Sequence, residues 1–166
     1  DNNLNSILKL KQPFIENAIL NSCNLKKMVV QKDEDEKNIR KILNLGHTFA
    51  HAFESCLGFS SKLNHGEAVI IGITIALEFS YQRRLIKNKT YNFVKQHLER
   101  IPLKKKFTSI FSKKDVSKII SFMESDKKNT TKKINIILIK DFGKIKTNYQ
   151  FDQNTLKQFL ISELKK

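Results

Sequence analysis

The sequence predicts a mainly α fold, a helical bundle with a small C-terminal β-hairpin. Apolar residues recur at helical spacing in several segments, which is the pattern of amphipathic helices. Residues 68–79, AVIIGITIALEF, are apolar on nearly all sides and predict a helix buried at the centre of the bundle. Only residues 133–140, KINIILIK, are short and β-branched, and Gly143 follows them, which predicts a hairpin. The 166 residues fit a single domain over 1–166.

Two segments precede the centre of the chain. From Phe14 to Val30 apolar residues keep helical spacing, and Pro13 suits the first turn of that helix. Residues 32–37, KDEDEK, are acidic in an otherwise basic chain. Asp33 or Asp35 is expected to cap a central helix that contains Arg40, since carboxylates stabilise helix N-termini.

A second helix is predicted to open at Asn64, with Glu67 in its first turn. Gly72 interrupts its apolar run and indicates a close helix crossing, because glycine otherwise costs about 1 kcal/mol in a helix. The later elements expected are helices over 91–100, 112–124 and 155–164, and hairpin strands over 133–140 and 145–149.

Composition limits the classes of function. The net charge is +15, but only four of the 31 basic residues are arginine and none forms a basic arm with aromatics, so nucleic acid is not the expected partner. Residues 68–77 are too few to span a bilayer, so no membrane partner is expected. Cys23 and Cys56 form no ligand-spaced pair, which suggests a reducing compartment. We therefore expect a cytoplasmic protein.

The central helix is predicted to carry a polar stripe. Arg40, Asn44, His47 and His51 fall at i, i+4, i+7 and i+11, within a sector of roughly 60°. A solvated face of this chain would carry Lys and Glu, whereas this stripe carries groups that bind ligands. His65 stands at the start of the second helix, close to where the stripe should pack.

The histidines are candidates for a metal site. Two His at i, i+4 on a helix can chelate one ion, and neutral imidazole suits zinc. Thr48 stands where a metalloprotease helix has its catalytic Glu, so peptide hydrolysis is not expected. From the residues alone the ligands are His47, His65 and either His51 or a carboxylate from elsewhere.

The motif LNLGHTFAHAFE followed by NHGEAVIIGI resembles the paired signature of the 3-dehydroquinate synthase family. The likeness extends through CNLKKMVV and DEDEKNIR before the motif and ESDKKN after it. It covers roughly residues 14–150 and implies the C-terminal helical domain of that family.

The resemblance implies roles for individual residues. His47 and His65 would be ligands of zinc or cobalt, with a third ligand, a Glu, from the family's preceding region. His51 would transfer protons or contact substrate, and Glu36 matches an acid proposed as a proton acceptor. Contacts to the carboxylate and phosphate of the substrate would come from Lys26, Arg40, Asn44 and one of Lys127 and Lys128.

The implied reaction closes 3-deoxy-D-arabino-heptulosonate 7-phosphate into 3-dehydroquinate and releases phosphate, with transient use of NAD. No glycine-rich dinucleotide-binding turn stands in these residues, so NAD contacts are expected from a separate N-terminal domain. We expect a C-terminal fragment or isolated domain without turnover of its own, and a homodimer when full length.

The sequence departs from the family at Ala50, usually Gly, and at Lys37-Asn38, usually small residues, which bears on the Glu36 assignment. Three alternatives stay open: a sister sugar-phosphate cyclase, a related metal- and NAD-dependent alcohol dehydrogenase, and a basic binding module without enzymatic activity.

Overall fold

The structure, a computed structural model, describes residues 3–103, 105–125 and 133–166, which group into two units. The first unit, Asp1–Leu43, contains α1 (Leu4–Leu8) and α2 (Phe14–Lys32), which contact each other. Helix α2 begins after Pro13 as predicted. The assignment of residues 1–166 to one domain stays a prediction.

The second unit, Asn44–Lys166, contains the remaining helices and the only sheet among the described residues. Its elements are α3 (His47–Cys56), α4 (His65–Gln82), α5 (Asn88–Glu99), α6 (Phe107–Ile110), α7 (Lys113–Ser125), β1 (Lys133–Asp141), β2 (Lys144–Asp152) and α8 (Gln153–Glu163). The mainly α fold with a C-terminal hairpin is thereby confirmed. Within the described ranges, no helix is both long and apolar enough to cross a membrane.

Helix α3 is held on two sides, by α4 and by α7. Phe49 and Phe53 are fully buried, and the Phe53 ring lies 5.3 and 5.1 Å from the rings of Phe107 and Phe111. Such aromatic contacts add to the free energy of burial and fix ring positions. The helix that carries two of the predicted site residues therefore has a rigid support.

The hairpin is antiparallel and turns at Gly143, which has a φ of 69°. Strand β1 is buried over most of its length, whereas β2 alternates between half-buried and exposed residues. The hydroxyl of Ser80 on α4 accepts the backbone N–H of Ile139 at 3.1 Å, which ties β1 to the central helix. Asp152 caps α8 by accepting the backbone N–H of Thr155 at 2.8 Å.

A polar network lies on the far part of α4. The buried carboxylate of Glu78 accepts hydrogen bonds from the hydroxyl of Tyr91 and from Lys166 Nζ, both at 2.6 Å. Burial opposes ionisation of Glu78, but these two donors outweigh it and hold its pKa below the ordinary value. Lys166 also pairs with Glu163 at 2.9 Å. Burial raises the pKa of Glu163, despite the bond to Lys166.

The structure corrects the prediction of one central helix from Arg40 onward. Residues Ile39–Asn44 form a 3-10 helix, and α3 begins only at His47, after Gly46 with a φ of 81°. A left-handed residue cannot continue an α-helix, so Arg40 and Asn44 do not extend the histidine face of α3. Glu36 does not continue a helical stripe either, because it lies in the preceding loop with a φ of 57°.

Candidate metal centre

Three histidines meet where the N-termini of α3 and α4 approach each other. His47 is the first residue of α3, His51 lies one turn later, and His65 is the first residue of α4. The ring centroids are 5.6 Å apart for His47 and His51, 5.8 Å for His47 and His65, and 6.2 Å for His51 and His65. The prediction that His65 would lie beside the other two is confirmed.

Two glycines allow this approach. A Cβ on Gly72 would lie 2.3 Å from the carbonyl oxygen of Gly46, and a Cβ on Gly46 would lie 2.6 Å from the backbone nitrogen of Ile73. Both contacts are to backbone atoms, which cannot rotate away as a side chain can. The predicted close crossing at Gly72 is thus confirmed, and its partner is the residue immediately before His47.

Hydrogen bonds hold the Nδ1 atoms of two of the rings. The Nδ1 of His47 lies 3.4 Å from the carbonyl oxygen of Leu45, which can only accept a hydrogen bond. The Nδ1 of His65 lies 3.1 and 3.2 Å from the two carboxylate oxygens of Glu54. In both residues a neutral ring would then carry its proton on Nδ1 and present an unprotonated Nε2, the form that binds a metal.

Sequence reasoning missed Glu54. It stands seven residues after His47, so it lies on nearly the same face of α3. That spacing was available in the sequence, but its partner His65 belongs to another helix, and only the crossing brings the two together.

The electrostatic surroundings favour neutral imidazole at His47. Burial lowers its pKa below the ordinary value, and the neighbouring rings of His51 and His65 lower it further.

Glu67 of α4 accepts a hydrogen bond from Lys105 Nζ at 2.8 Å and another from the backbone N–H of Asn64 at 3.0 Å. The Lys105 bond and then the Asn64 bond hold the pKa of Glu67 below its ordinary value. The predicted position of Glu67 in the first turn of α4 is confirmed.

The donor set suits a divalent zinc-like ion, although it is incomplete. With metal–nitrogen distances of about 2.1 Å and tetrahedral angles, two coordinating rings have centroids about 5 Å apart. The centroids of His47 and His65 are 5.8 Å apart and those of His47 and His51 are 5.6 Å apart, so both pairs come near this value. Among the described residues, no three His, Cys, Asp or Glu side chains are already arranged to hold a metal.

The other predicted site residues are spread over three parts of the chain. In the first unit, Lys26 is exposed on α2 and Glu36 is half-buried in the loop that follows. In the second unit, Asn44 is half-buried at the end of the 3-10 helix. Lys127 and Lys128 lie outside the described residues.

Arg40 lies in the first turn of the 3-10 helix, which the carboxylate of Asp33 stabilises. The carboxylate of Asp33 accepts backbone N–H groups of Lys37, Asn38 and Arg40 at 2.7 to 2.9 Å. Burial opposes ionisation of Asp33, but these bonds prevail and lower its pKa. Arg40 Nη1 donates to the carbonyl oxygen of Glu34 at 2.6 Å. Asp33 thus caps the 3-10 helix and not an α-helix.

Comparisons with known proteins agree with the family that the sequence motif resembles. The family described as 3-dehydroquinate synthase C-terminal matches residues 1–129. A protein of Pelagibacter ubique, named 3-dehydroquinate synthase, is 49% identical over 160 residues, which are 96% of this chain and 44% of that protein. One of Endomicrobium trichonymphae with the same name is 40% identical, over 87% of this chain and 39% of that protein. The chain spans less than half the length of the curated relatives it matches.

Solved structures share the fold. The crystal structure of 2-deoxy-scyllo-inosose synthase complexed with carbaglucose-6-phosphate, NAD+ and Co2+ matches with a TM-score of 0.68 and 22% identity. The match covers 90% of this chain and 40% of that one. A second structure of 2-deoxy-scyllo-inosose synthase matches with a TM-score of 0.65 and 20% identity, over 82% of this chain and 36% of that one. At these identities the likeness concerns the fold alone.

Proposed function

This chain belongs to the 3-dehydroquinate synthase family, and we propose that it forms the metal- and substrate-binding part of a 3-dehydroquinate synthase. The proposed reaction cyclises 3-deoxy-D-arabino-heptulosonate 7-phosphate to 3-dehydroquinate with release of phosphate, a step of the shikimate route to aromatic amino acids. The observation that carries the proposal is the cluster of His47, His51 and His65, with Nδ1 hydrogen-bonded in two of them.

His47 and His65 are the proposed ligands of a zinc ion, or of cobalt in its place. Their Nδ1 contacts leave Nε2 as the coordinating atom in each ring. The third ligand is proposed to be a Glu from the region of the relatives that precedes this match. A bound zinc ion would polarise the substrate hydroxyl that is oxidised and lower its pKa.

His51 and Glu36 are proposed to handle protons. The family resemblance is the basis for proposing His51 as a proton relay and not as a ligand. Its ring lies one helical turn from that of His47, so it is close enough to relay protons beside the metal. Glu36 is proposed as a proton acceptor, in a loop whose conformation the Asp33 carboxylate stabilises.

The anionic groups of the substrate need cations and amide donors. Arg40 suits a carboxylate or phosphate because its guanidinium is planar, and its bond to the carbonyl oxygen of Glu34 orients that plane. Lys26 would act as a point charge and Asn44 as an amide donor. One of Lys127 and Lys128 is proposed to complete the set.

NAD is the proposed second cofactor, and the chemistry it supplies is reversible acceptance of hydride. No residue of this chain is proposed to bind it, and its site is expected in the region of the relatives outside the match, an N-terminal domain of the same enzyme. The complete enzyme is proposed to be a cytoplasmic homodimer. The 166 residues alone are expected to give no turnover, because the proposed third metal ligand and the proposed NAD site belong to the region of the relatives outside the match.

A sister sugar-phosphate cyclase is the second candidate, since two of the matching solved structures are of 2-deoxy-scyllo-inosose synthase. The identity of 49% to a protein named 3-dehydroquinate synthase, against 22% to that structure, favours the first candidate.

A chimera tests the choice between the two. Residues 1–166 would replace the matching region of the Pelagibacter ubique relative, with that relative unmodified as the positive control. With NAD and zinc, the chimera should release phosphate from 3-deoxy-D-arabino-heptulosonate 7-phosphate and form 3-dehydroquinate, and His47→Ala should abolish this. Phosphate release from a hexose 6-phosphate alone would contradict the proposal. A folded, zinc-loaded chimera that acts on neither substrate would contradict it as well.

A further inference from the structure

We propose that Glu54 is a positioning residue that holds the His65 ring with its proton on Nδ1, so that Nε2 faces the metal. The inference rests on the proposed function for the identity of the metal ligand, and it assigns a task to a residue outside the predicted site. Glu54 would not touch the metal or the substrate. Its effect would pass through the imidazole of His65.

The contact between the two side chains has the geometry of a carboxylate–histidine pair. Both carboxylate oxygens of Glu54 lie at bonding distance from the same nitrogen, 3.1 and 3.2 Å from Nδ1. Ligating histidines usually donate their second ring N–H to a carboxylate, a carbonyl or water, which fixes the tautomer and makes the coordinating nitrogen more basic. His47 has the equivalent arrangement with the carbonyl oxygen of Leu45, so both proposed ligands are held at the same ring position.

The side chain of Glu54 is more deeply buried than that of His65. Its side chain is 12% exposed, because α3 packs between α4 and α7, whereas the side chain of His65 is 59% exposed. As the first residue of α4, His65 has no preceding helical turn to restrict its ring. The half-buried carboxylate of Glu54 thus holds the more exposed imidazole of His65 across the crossing of the two helices.

The alternative is a purely structural role, in which the contact between Glu54 and His65 only stabilises the packing of α3 against α4. An exposed pair contributes little to the free energy of unfolding, and the close contact of Gly46 with Gly72 already joins these helices. A fastening role would appear in stability alone. A positioning role would appear in the tautomer of His65 and in metal affinity, with stability nearly unchanged.

The test uses Glu54→Gln, which keeps the shape of the side chain and removes its charge. The control is Glu99→Gln, which makes the same charge change on α5 and not on the helices that carry His47, His51 and His65. In the metal-free protein at pH 8, long-range 1H–15N spectra identify the tautomer of each ring. The His65 signals are assigned by their loss in His65→Ala. Zinc affinity is measured by competition with a chelator, and stability by urea unfolding.

We expect the His65 proton on Nδ1 in the unmodified protein and a shift toward Nε2 in Glu54→Gln. The zinc Kd should rise 10- to 100-fold in Glu54→Gln and stay unchanged in Glu99→Gln. A proton on Nε2 of His65 in the unmodified protein would overturn the inference. So would an unchanged zinc Kd, or a loss of stability large enough to explain the weaker binding.

Two further outcomes separate this inference from the proposed function. Complete loss of zinc binding in Glu54→Gln would overturn it by making Glu54 a ligand. If the chimera with the Pelagibacter ubique relative binds no zinc, while His65 of this chain keeps its proton on Nδ1 and loses it in Glu54→Gln, the proposed function fails and the positioning by Glu54 stands.

Discussion

The crossing of α3 and α4 offers the sharpest test of how the sequence builds the site. Replacing Gly72 with alanine should destabilise the protein, although alanine is the better helix former by about 1 kcal/mol. The added Cβ would lie 2.3 Å from the carbonyl oxygen of Gly46 and 3.2 Å from the backbone nitrogen of Ala50. An ordinary contact of this kind is about 3.4 Å or more, so the helices would have to separate by roughly 1 Å.

The magnitude follows from two opposing terms. Overpacking of a dense interior costs about 1–3 kcal/mol, and the upper part of that range applies because the contacted atoms are backbone. Subtracting the gain in helix propensity of about 1 kcal/mol leaves a net loss of about 1–2 kcal/mol. Since Gly46 immediately precedes His47, the separation should also move the His47 ring away from His65 and weaken zinc binding.

Gly66 provides the matched control on the same helix. A Cβ on Gly66 meets nothing within 4 Å, so Gly66→Ala should leave stability unchanged or raise it by up to about 1 kcal/mol. Urea unfolding followed by circular dichroism measures both variants. If Gly72→Ala proves as stable as the unmodified protein, or more stable, the account of the helix crossing is wrong.

Three further predictions concern stability. Asp152→Ala removes the cap of α8 and should lower the free energy of unfolding by about 1 kcal/mol in urea titrations. Tyr91→Phe removes a donor at 2.6 Å from the buried carboxylate of Glu78 and should cost about 1–3 kcal/mol in the same assay, so an unchanged midpoint would contradict the role of this bond. Backbone hydrogen bonds hold the pKa values of Asp115, Asp141 and Asp152 below their ordinary value of 3.8. Their ionised forms therefore stabilise the folded state above about pH 4. The free energy of unfolding should decline as the pH falls through the pKa values of the folded state. A constant free energy of unfolding from pH 5 to 3 would refute this.

Much of the fold follows from local patterns. The spacing of apolar residues, together with capping residues, predicted α2, α4, α5, α7, α8 and the hairpin to within a few residues. This was possible because the apolar face of each element recurs regularly within one segment of the sequence. The start of α3 could not be predicted in this way. Helical spacing continues from Arg40 through His51, yet the helix begins at His47 because Gly46 adopts a left-handed conformation against Gly72. That contact joins residues on two different helices, and no local pattern reports it.

The candidate site was predictable to the extent that residue type reveals chemistry. Imidazoles in register pointed to a metal, and the position of His65 at a helix start indicated that it would join them. Glu54 was missed because a glutamate on a helix is usually a solvated side chain, and only its 12% exposure and its partner distinguish it. The roles of His47, His65, His51, Glu36, Lys26, Arg40, Asn44, Lys127 and Lys128 stay predictions.

The proposed assignment of His47 and His65 as metal ligands can be tested by the zinc content and zinc affinity of this chain, measured for the unmodified protein and for His47→Ala, His65→Ala and His51→Ala. We expect that loss of either His47 or His65 abolishes binding, while loss of His51 leaves it intact, because His51 is proposed to move protons and not to coordinate. If His51→Ala abolishes binding equally, the centre is a three-histidine site and the proposed assignment of ligands is wrong.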